Sequence, residues 1–196
     1  MPAPSQQPQI ILIGGPNGAG KTTFVRSFLR EISCRYLSAD QIAYDLCPED
    51  VASVAVQAGR QFLLQIRKAR ENRESVIVES TLSGKGLARE LRAFRAAGYE
   101  IRLVFISLPS VRTSSARVAL RVSKGGHDVP AQDIRRRFYR THVNFWELYR
   151  PIAHRWELFY NGHQLGHQLV ARGKDRHTSV LKPIFWNTFW TILDAD

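Results

Sequence analysis

The sequence predicts an α/β fold, a mostly parallel sheet flanked by helices. Three observations carry that expectation. Short apolar runs alternate with helical patterns along most of the chain, as strand–helix units do. The first run, Ile10-Ile11-Leu12-Ile13, leads directly into Gly15-Pro16-Asn17-Gly18-Ala19-Gly20-Lys21-Thr22-Thr23. That stretch is a phosphate-binding loop, G-x-x-x-x-G-K-[ST], in its proper place between a strand and a helix. Finally, 196 residues with 44% apolar content can bury one sizeable core.

The elements follow in order. Residues 10–14 read as the first strand and residues 21–29 as the helix after the loop. Residues 35–38 form a second strand, ending in Ala39-Asp40. Val51, Val54, Ala58, Phe62, Ile66 and Ala69 recur at three- and four-residue steps, so residues 51–70 are a helix. Val76-Ile77-Val78 makes 75–79 a buried strand with a carboxylate, Glu79, at its end. Residues 85–97 are a helix stopped by Gly98. Residues 100–106 are a strand broken by Pro109, and 111–122 a helix. Residues 123–130 are a loop containing Gly125-Gly126-His127. Residues 131–150 read as one helix with Ile134, Phe138, Phe145 and Leu148 on one side. Residues 156–160 are the last core strand, turned by Asn161-Gly162, and 167–171 a further strand. Residues 183–192 carry Phe185, Trp186, Phe189, Trp190 and Ile192, a helix that packs over the sheet. No repeat, low-complexity tract or long linker breaks the chain. Residues 1–8 read as a frayed tail and 9–196 as one domain.

Composition narrows the class. No apolar stretch approaches the ~20 residues that span a bilayer, and residues 1–8 have no signal-peptide pattern. Cys34 and Cys47 form no C-x-x-C pair, so a reducing cytoplasm with free thiols is expected. The net charge of +11 calls for a polyanionic partner. Residues 101–150 hold ten Lys/Arg against three acids. A basic excess so local suits a phosphate clamp better than a uniform nucleic-acid surface.

Candidate site residues sit where ligands bind in open α/β sheets, beyond the carboxyl ends of the strands. The backbone N–H groups of residues 15–20 curl around a phosphate chain. Lys21 reaches the β/γ-phosphates of ATP or GTP, and the Thr22 hydroxyl ligates Mg²⁺, with Thr23 beside them. Asp40 ends the second strand and Glu79 the third, and both should face the loop, Thr81 being two residues beyond. Such a carboxylate accepts a proton from an attacking hydroxyl, positions the metal or holds substrate hydroxyls. The bland reading of Asp40 is a cap on the helix from Gln41. Arg117 and Arg121 share one helix face before the Gly-Gly loop, and Arg136 and Arg140 share another after it. Arginines on both sides of a glycine loop predict a lid over 123–130 that closes on the phosphates; which of Arg136, Arg137 and Arg140 points inward stays open. Two patterns are set aside. Leu82-Ser83-Gly84-Lys85-Gly86 matches the signature loop of ABC transporter ATPases superficially, but it follows the phosphate loop too soon. His163 and His167 have metal-ligand spacing, but Asn161-Gly162 and Gly166 break any helix there.

With these residues in view, the chain resembles the zeta-toxin family of P-loop kinases, in particular its short bacterial members. The resemblance runs from about Gln9 to Arg172. It rests on the phosphate loop, Ser38-Ala39-Asp40, Ala58-Gly59-Arg60, Glu79-Ser80-Thr81-Leu82-Ser83, Gly98-Tyr99 and the segment from Arg117-Val118 to Arg137. It implies a P-loop kinase fold and transfer of the γ-phosphate to a sugar hydroxyl. It implies Asp40 as general base, Glu79 and Thr81 in a substrate-binding segment, and Arg121 with Arg136 or Arg137 as phosphate-binding arginines. UDP-N-acetylglucosamine as acceptor and a small antitoxin as partner also come with the resemblance. The chain is shorter than the characterised toxins, and Ser80 stands where they tend to have glycine. Two other readings share the loop: a polynucleotide or RNA kinase, and an ATP-dependent switch without a second substrate.

Overall fold

Apolar runs without alternation mark strands covered on both faces, and β1 (Gln9–Gly14) is such a strand. Ile10 and Leu12 enter one apolar layer, Ile11 and Ile13 the other, at the two-residue period of a strand. The structure, a computed structural model, describes residues 7–29, 34–126, 128–162, 166–174 and 177–195. Pro8, at the edge of the expected tail, is buried, and its carbonyl accepts from the Glu100 N–H at 3.0 Å.

Seven strands run in the order β2-β3-β1-β4-β5-β6-β7. β2 (Arg35–Ser38), β3 (Val76–Ser80), β4 (Glu100–Ser107) and β5 (Arg155–Asn161) lie parallel with β1. β6 (His167–Lys174) and β7 (His177–Val180) add an antiparallel edge. The sequence does not announce β7, because all four of its residues are exposed and leave no periodic signal. β6 extends past the expected Ala171 for the same reason, with Arg172 and Lys174 exposed. From β1 the chain goes to β2 and β3 on one side, then crosses to β4 on the other. That reversal opens a crevice at the carboxyl ends of β1, β3 and β4.

Helices cover both faces. α3 (Ala55–Glu71) and α4 (Gly86–Ala96) pack on one layer through Phe62, Ile66, Leu87, Leu91 and Phe94. α1 (Lys21–Leu29) and α6 (Ala131–Val143) pack on the other through Phe24, Val25 and Phe138. α2 (Ala39–Leu46) meets α3 through Ala43, Val51 and Ala58. α7 (Pro183–Leu193) joins both layers, with Phe189 in one and Ile192 in the other. α5 (Val111–Val122) contributes Val118 to a small separate cluster with Val129 and Ile134.

Two helices differ from their sequence periods. α3 begins at Ala55, four residues late, because Asp50 Oδ1 accepts from the Ser53 N–H at 3.2 Å and closes a turn there. The long helix expected to reach residue 150 changes pitch. After Val143 it becomes a π-helical segment, Asn144–Tyr149, and then a 3₁₀ turn, Arg150–Ile152. Its side chains hold the backbone that follows β3. Thr141 donates to the Thr81 carbonyl, Asn144 to Leu82 at 2.7 Å and Tyr149 to Gly84 at 2.6 Å. The Leu82–Gly86 stretch is thus a braced exit from β3.

His142 sits wholly buried among Phe105, Phe138 and Phe189. Its Nδ1–H donates to the Phe138 carbonyl at 2.7 Å, which leaves Nε2 to accept from the Ser107 hydroxyl at 2.9 Å. Burial outweighs the Phe138 carbonyl and pushes the pKa from 6.5 down to about 4. The ring is neutral in the native protein and takes a proton more readily once unfolded. Its contribution is therefore intact above pH 6.5 and drains away as pH falls toward 4. Urea unfolding across that window should lose about 3 kcal/mol from this one group. A His142→Gln variant, less stable at pH 7, should show a stability–pH slope shallower by about one proton; equal slopes would mean that the ring titrates normally.

Candidate active site

A glycine-rich loop turns its N–H groups inward, so its carbonyls face outward and need donors. Here five consecutive carbonyls each accept from a side chain. Lys21 Nζ donates to Gly15 at 3.0 Å and Pro16 at 3.1 Å. Ser114 Oγ donates to Asn17 at 2.6 Å, Arg117 to Gly18 at 3.3 Å and Asn161 Nδ2 to Ala19 at 2.9 Å. Gly15 has φ +149°, and a Cβ there would lie 2.4 Å from the Ile106 carbonyl, so only glycine lets the loop pass β4. These side chains hold the loop in shape.

The loop borders a cavity of about 670 Å³ at the crevice. Residues 17–23 form one wall, with the amino end of α1 aimed inward. Lys21 is 8% exposed. Burial lowers its pKa from 10.5; Glu79 and Asp40 pull it back up, and Arg121 pushes it down. A bound phosphate would add further negative charge beside this buried ammonium. Asn17 Oδ1 is buried with no hydrogen-bond partner, an unmet acceptor that marks the loop as a place for a ligand or water.

The facing wall comes from β2, α2 and β3. Glu79, 7% exposed, accepts from the Thr22 hydroxyl at 3.1 and 3.2 Å and from the Tyr36 hydroxyl at 2.6 Å. Burial and the bond to Glu79 push the Tyr36 pKa upward, so the phenol keeps its proton. Asp40 lies in the first turn of α2, and the cap is Ser38, whose Oγ accepts from Gln41 N at 3.5 Å. The capping explanation of Asp40 therefore falls away. Asp40 lines the cavity, and no hydrogen bond or ion pair with another described residue engages its carboxylate. Hydroxyl and carboxylate oxygens at Thr22 and Glu79 are the hard donors that Mg²⁺ prefers, and Mg²⁺ commonly uses one or two protein groups beside substrate phosphates.

The basic residues divide. Ser114, Arg117 and Arg121 recur at three and four residues on one face of α5. Arg117 and Arg121 both line the cavity. Arg117, expected to bind nucleotide, places its guanidinium on the carbonyls of Gly18, Asn161 and Gly162. Arg136 and Arg137 do not reach the cavity. Asp133, one turn earlier on α6, takes Arg136 at 2.7 Å and Arg137 at 3.3 Å. Arg140 does not border it either. Thr81, expected in the substrate segment, also stays outside; its hydroxyl pairs with Ser83 at 2.9 Å. Of the lid loop, Gly126 borders the cavity and His127 lies outside the described residues. His163 lies outside them as well. Tyr36 carried a signal that was missed: it shares a strand face with Ser38, two residues before Asp40.

The sequence profile of the family described as Zeta toxin matches residues 1–154. The chain belongs to the zeta-toxin family. An uncharacterized protein of Haemophilus influenzae is 30% identical over 128 residues, which make up 65% of this chain and 90% of that one. The structure of AvrRxo1-ORF1:-ORF2 with ATP matches with a TM-score of 0.73 at 16% identity, over 94% of this chain and 64% of that one. This zeta-toxin-family chain thus spans less than two thirds of that chain. The PezAT toxin–antitoxin system of Streptococcus pneumoniae matches with a TM-score of 0.63 at 19% identity, over 97% and 85% of the two chains. Family and fold together are those of a P-loop kinase.

The division among arginines is testable. Arg121→Ala should weaken Mg-ATP binding roughly ten- to a hundredfold, the weight of a charge-assisted hydrogen bond. Arg136→Ala should stay within about twofold of the wild type. Calorimetric titration of both variants distinguishes this pattern from a lid in which the two arginines act alike.

Proposed function

We propose that the protein transfers the γ-phosphoryl group of ATP or GTP to a hydroxyl of a small acceptor. The observation that carries this reading is Asp40: a carboxylate in the same cavity as Lys21 and the phosphate loop, with no hydrogen bond or ion pair to another described residue. The loop amides and Lys21 would hold the β- and γ-phosphates. Asp40 would accept the acceptor's hydroxyl proton as its oxygen bonds to the γ-phosphorus. The bond from that phosphorus to the β–γ bridging oxygen breaks, and the nucleoside diphosphate leaves. Arg121 would stabilise charge on the transferring group. Thr22 and Glu79 would hold Mg²⁺, which when bound neutralises charge on the phosphates.

A nucleotide sugar such as UDP-N-acetylglucosamine is the proposed acceptor, on the strength of the family and of a polar wall containing Ser38, Gln41 and Tyr44. A small antitoxin is the proposed protein partner, since the PezAT relative is a toxin–antitoxin system. The proposed setting is a reducing cytoplasm, which suits Cys34 and Cys47, both free. No described helix is long and apolar enough to cross a membrane. The basic stretch at 101–150 supports a second reading, a polynucleotide acceptor. Binding to an oligonucleotide that falls steeply with salt would favour it.

Incubation with Mg-ATP and a metabolite mixture containing UDP-N-acetylglucosamine, read by mass spectrometry, should reveal one acceptor gaining a phosphate. Lys21→Ala should largely abolish that gain without unfolding the chain. Asp40→Asn should cut turnover about 10²–10⁴-fold, the usual weight of a positioned base, while Mg-ATP still binds. Near-normal turnover in either variant would overturn the assigned roles.

A further inference from the structure

Two of the side chains that hold the phosphate loop come from beyond the family match, which ends at residue 154. Asn161 is the last residue of β5, and His167 opens β6. Asn161 Nδ2 donates to the Ala19 carbonyl at 2.9 Å and lies 3.3 Å from His167 Nε2. The bond to a carbonyl identifies that amide atom as a donor. Nδ2 thus faces both the Ala19 carbonyl and the His167 ring. Burial favours the neutral ring; the Gly20 and Ala19 carbonyls pull the other way, and Arg117 pushes with the burial. The ring also packs edge-on against Phe24 of α1, with centroids 5.1 Å apart.

This pair presses on the loop where it turns into α1. Gly20 has φ +84°, and a Cβ there would lie 2.8 Å from Asn161 Nδ2 and 3.2 Å from His167 Nε2. Lys21 is the next residue and the first of α1. The orientation of the Ala19–Gly20 peptide therefore sets where the helix starts and where Lys21 departs from it. Neither Asn161 nor His167 lines the cavity.

We infer that Asn161 and His167 are positioning residues for the nucleotide. They fix the Ala19–Gly20 turn, so that the loop amides and Lys21 converge on the phosphates before binding. The zeta-toxin segment through residue 154 thus relies on the β5–β6 edge for the shape of its cradle. This inference rests on the nucleotide-binding reading proposed above.

Three variants of the full chain test it. Asn161→Ala removes Nδ2 and leaves the main-chain carbonyl that Arg117 uses. His167→Phe keeps a ring against Phe24 and removes both nitrogens. His167→Gln restores a polar tip. Hydrogen exchange without nucleotide reads the amides of residues 17–22, calorimetry reads Mg-ATP affinity, and thermal melting verifies the fold. Exchange should quicken about five- to tenfold in Asn161→Ala and His167→Phe, the weight of one hydrogen bond, with Mg-ATP binding weakened by a similar factor. His167→Gln should recover most of both, and turnover at saturating ATP should change less than affinity. Folded variants with wild-type exchange and wild-type affinity would overturn the inference. So would His167→Gln behaving like His167→Phe, since ring packing would then be the cause. A wild-type protein that binds no Mg-ATP would sink the nucleotide reading instead, and the exchange rates alone would then decide the brace.

Discussion

A phosphate loop is a backbone device, and a backbone made of small residues cannot hold its own shape. Its inward N–H groups serve a ligand only if its outward carbonyls are satisfied elsewhere. In this protein the donors come from α1, α5 and the end of β5. Much of the architecture follows from that need. α5 must lie along the loop so that Ser114 and Arg117 reach it. β5 must sit beside β4 so that its end reaches Ala19. Arg121, one turn past Arg117, is carried to the cavity by the same helix phase.

Groups facing the cavity are also paired with one another. Lys21 answers two loop carbonyls, and Thr22 answers Glu79. A triphosphate must compete with these bonds, and what it offers is charge. Lys21 is a buried cation, Glu79 a buried anion with two hydroxyl donors. The internal pairing keeps both tolerable until stronger partners come. Tyr36 anchors the carboxylate from the side of β2, so release of the Thr22 hydroxyl need not set Glu79 adrift.

Local signals were the legible ones. The phosphate loop, the α/β alternation and the carboxylates after strands were plain, because each is written in a few adjacent residues. Asp40, in the first turn of α2, and Glu79, near the end of β3, border one cavity. The unreadable parts depend on partners far along the chain. Arg117 looked like a phosphate ligand, and only the carbonyls of Asn161 and Gly162, some 45 residues on, explain its position. Asn161 reaches Ala19 across 142 residues. Arg136 and Arg137 had convincing spacing from the glycine loop, yet Asp133, present in the same short stretch, takes both. The change of pitch after Val143 comes with side-chain bonds to residues 81–84, which no helical period records.

Val118, Val129 and Ile134 form a cluster apart from the two layers of the sheet. The stalks on either side of the glycine loop are thus glued to each other by a core of their own. Both helices are also tied elsewhere, α6 to the sheet through Phe138 and α5 to the phosphate loop through Ser114. A change in size at any of these three apolar residues would therefore be felt at Arg121, which lines the cavity from the same helix as Val118.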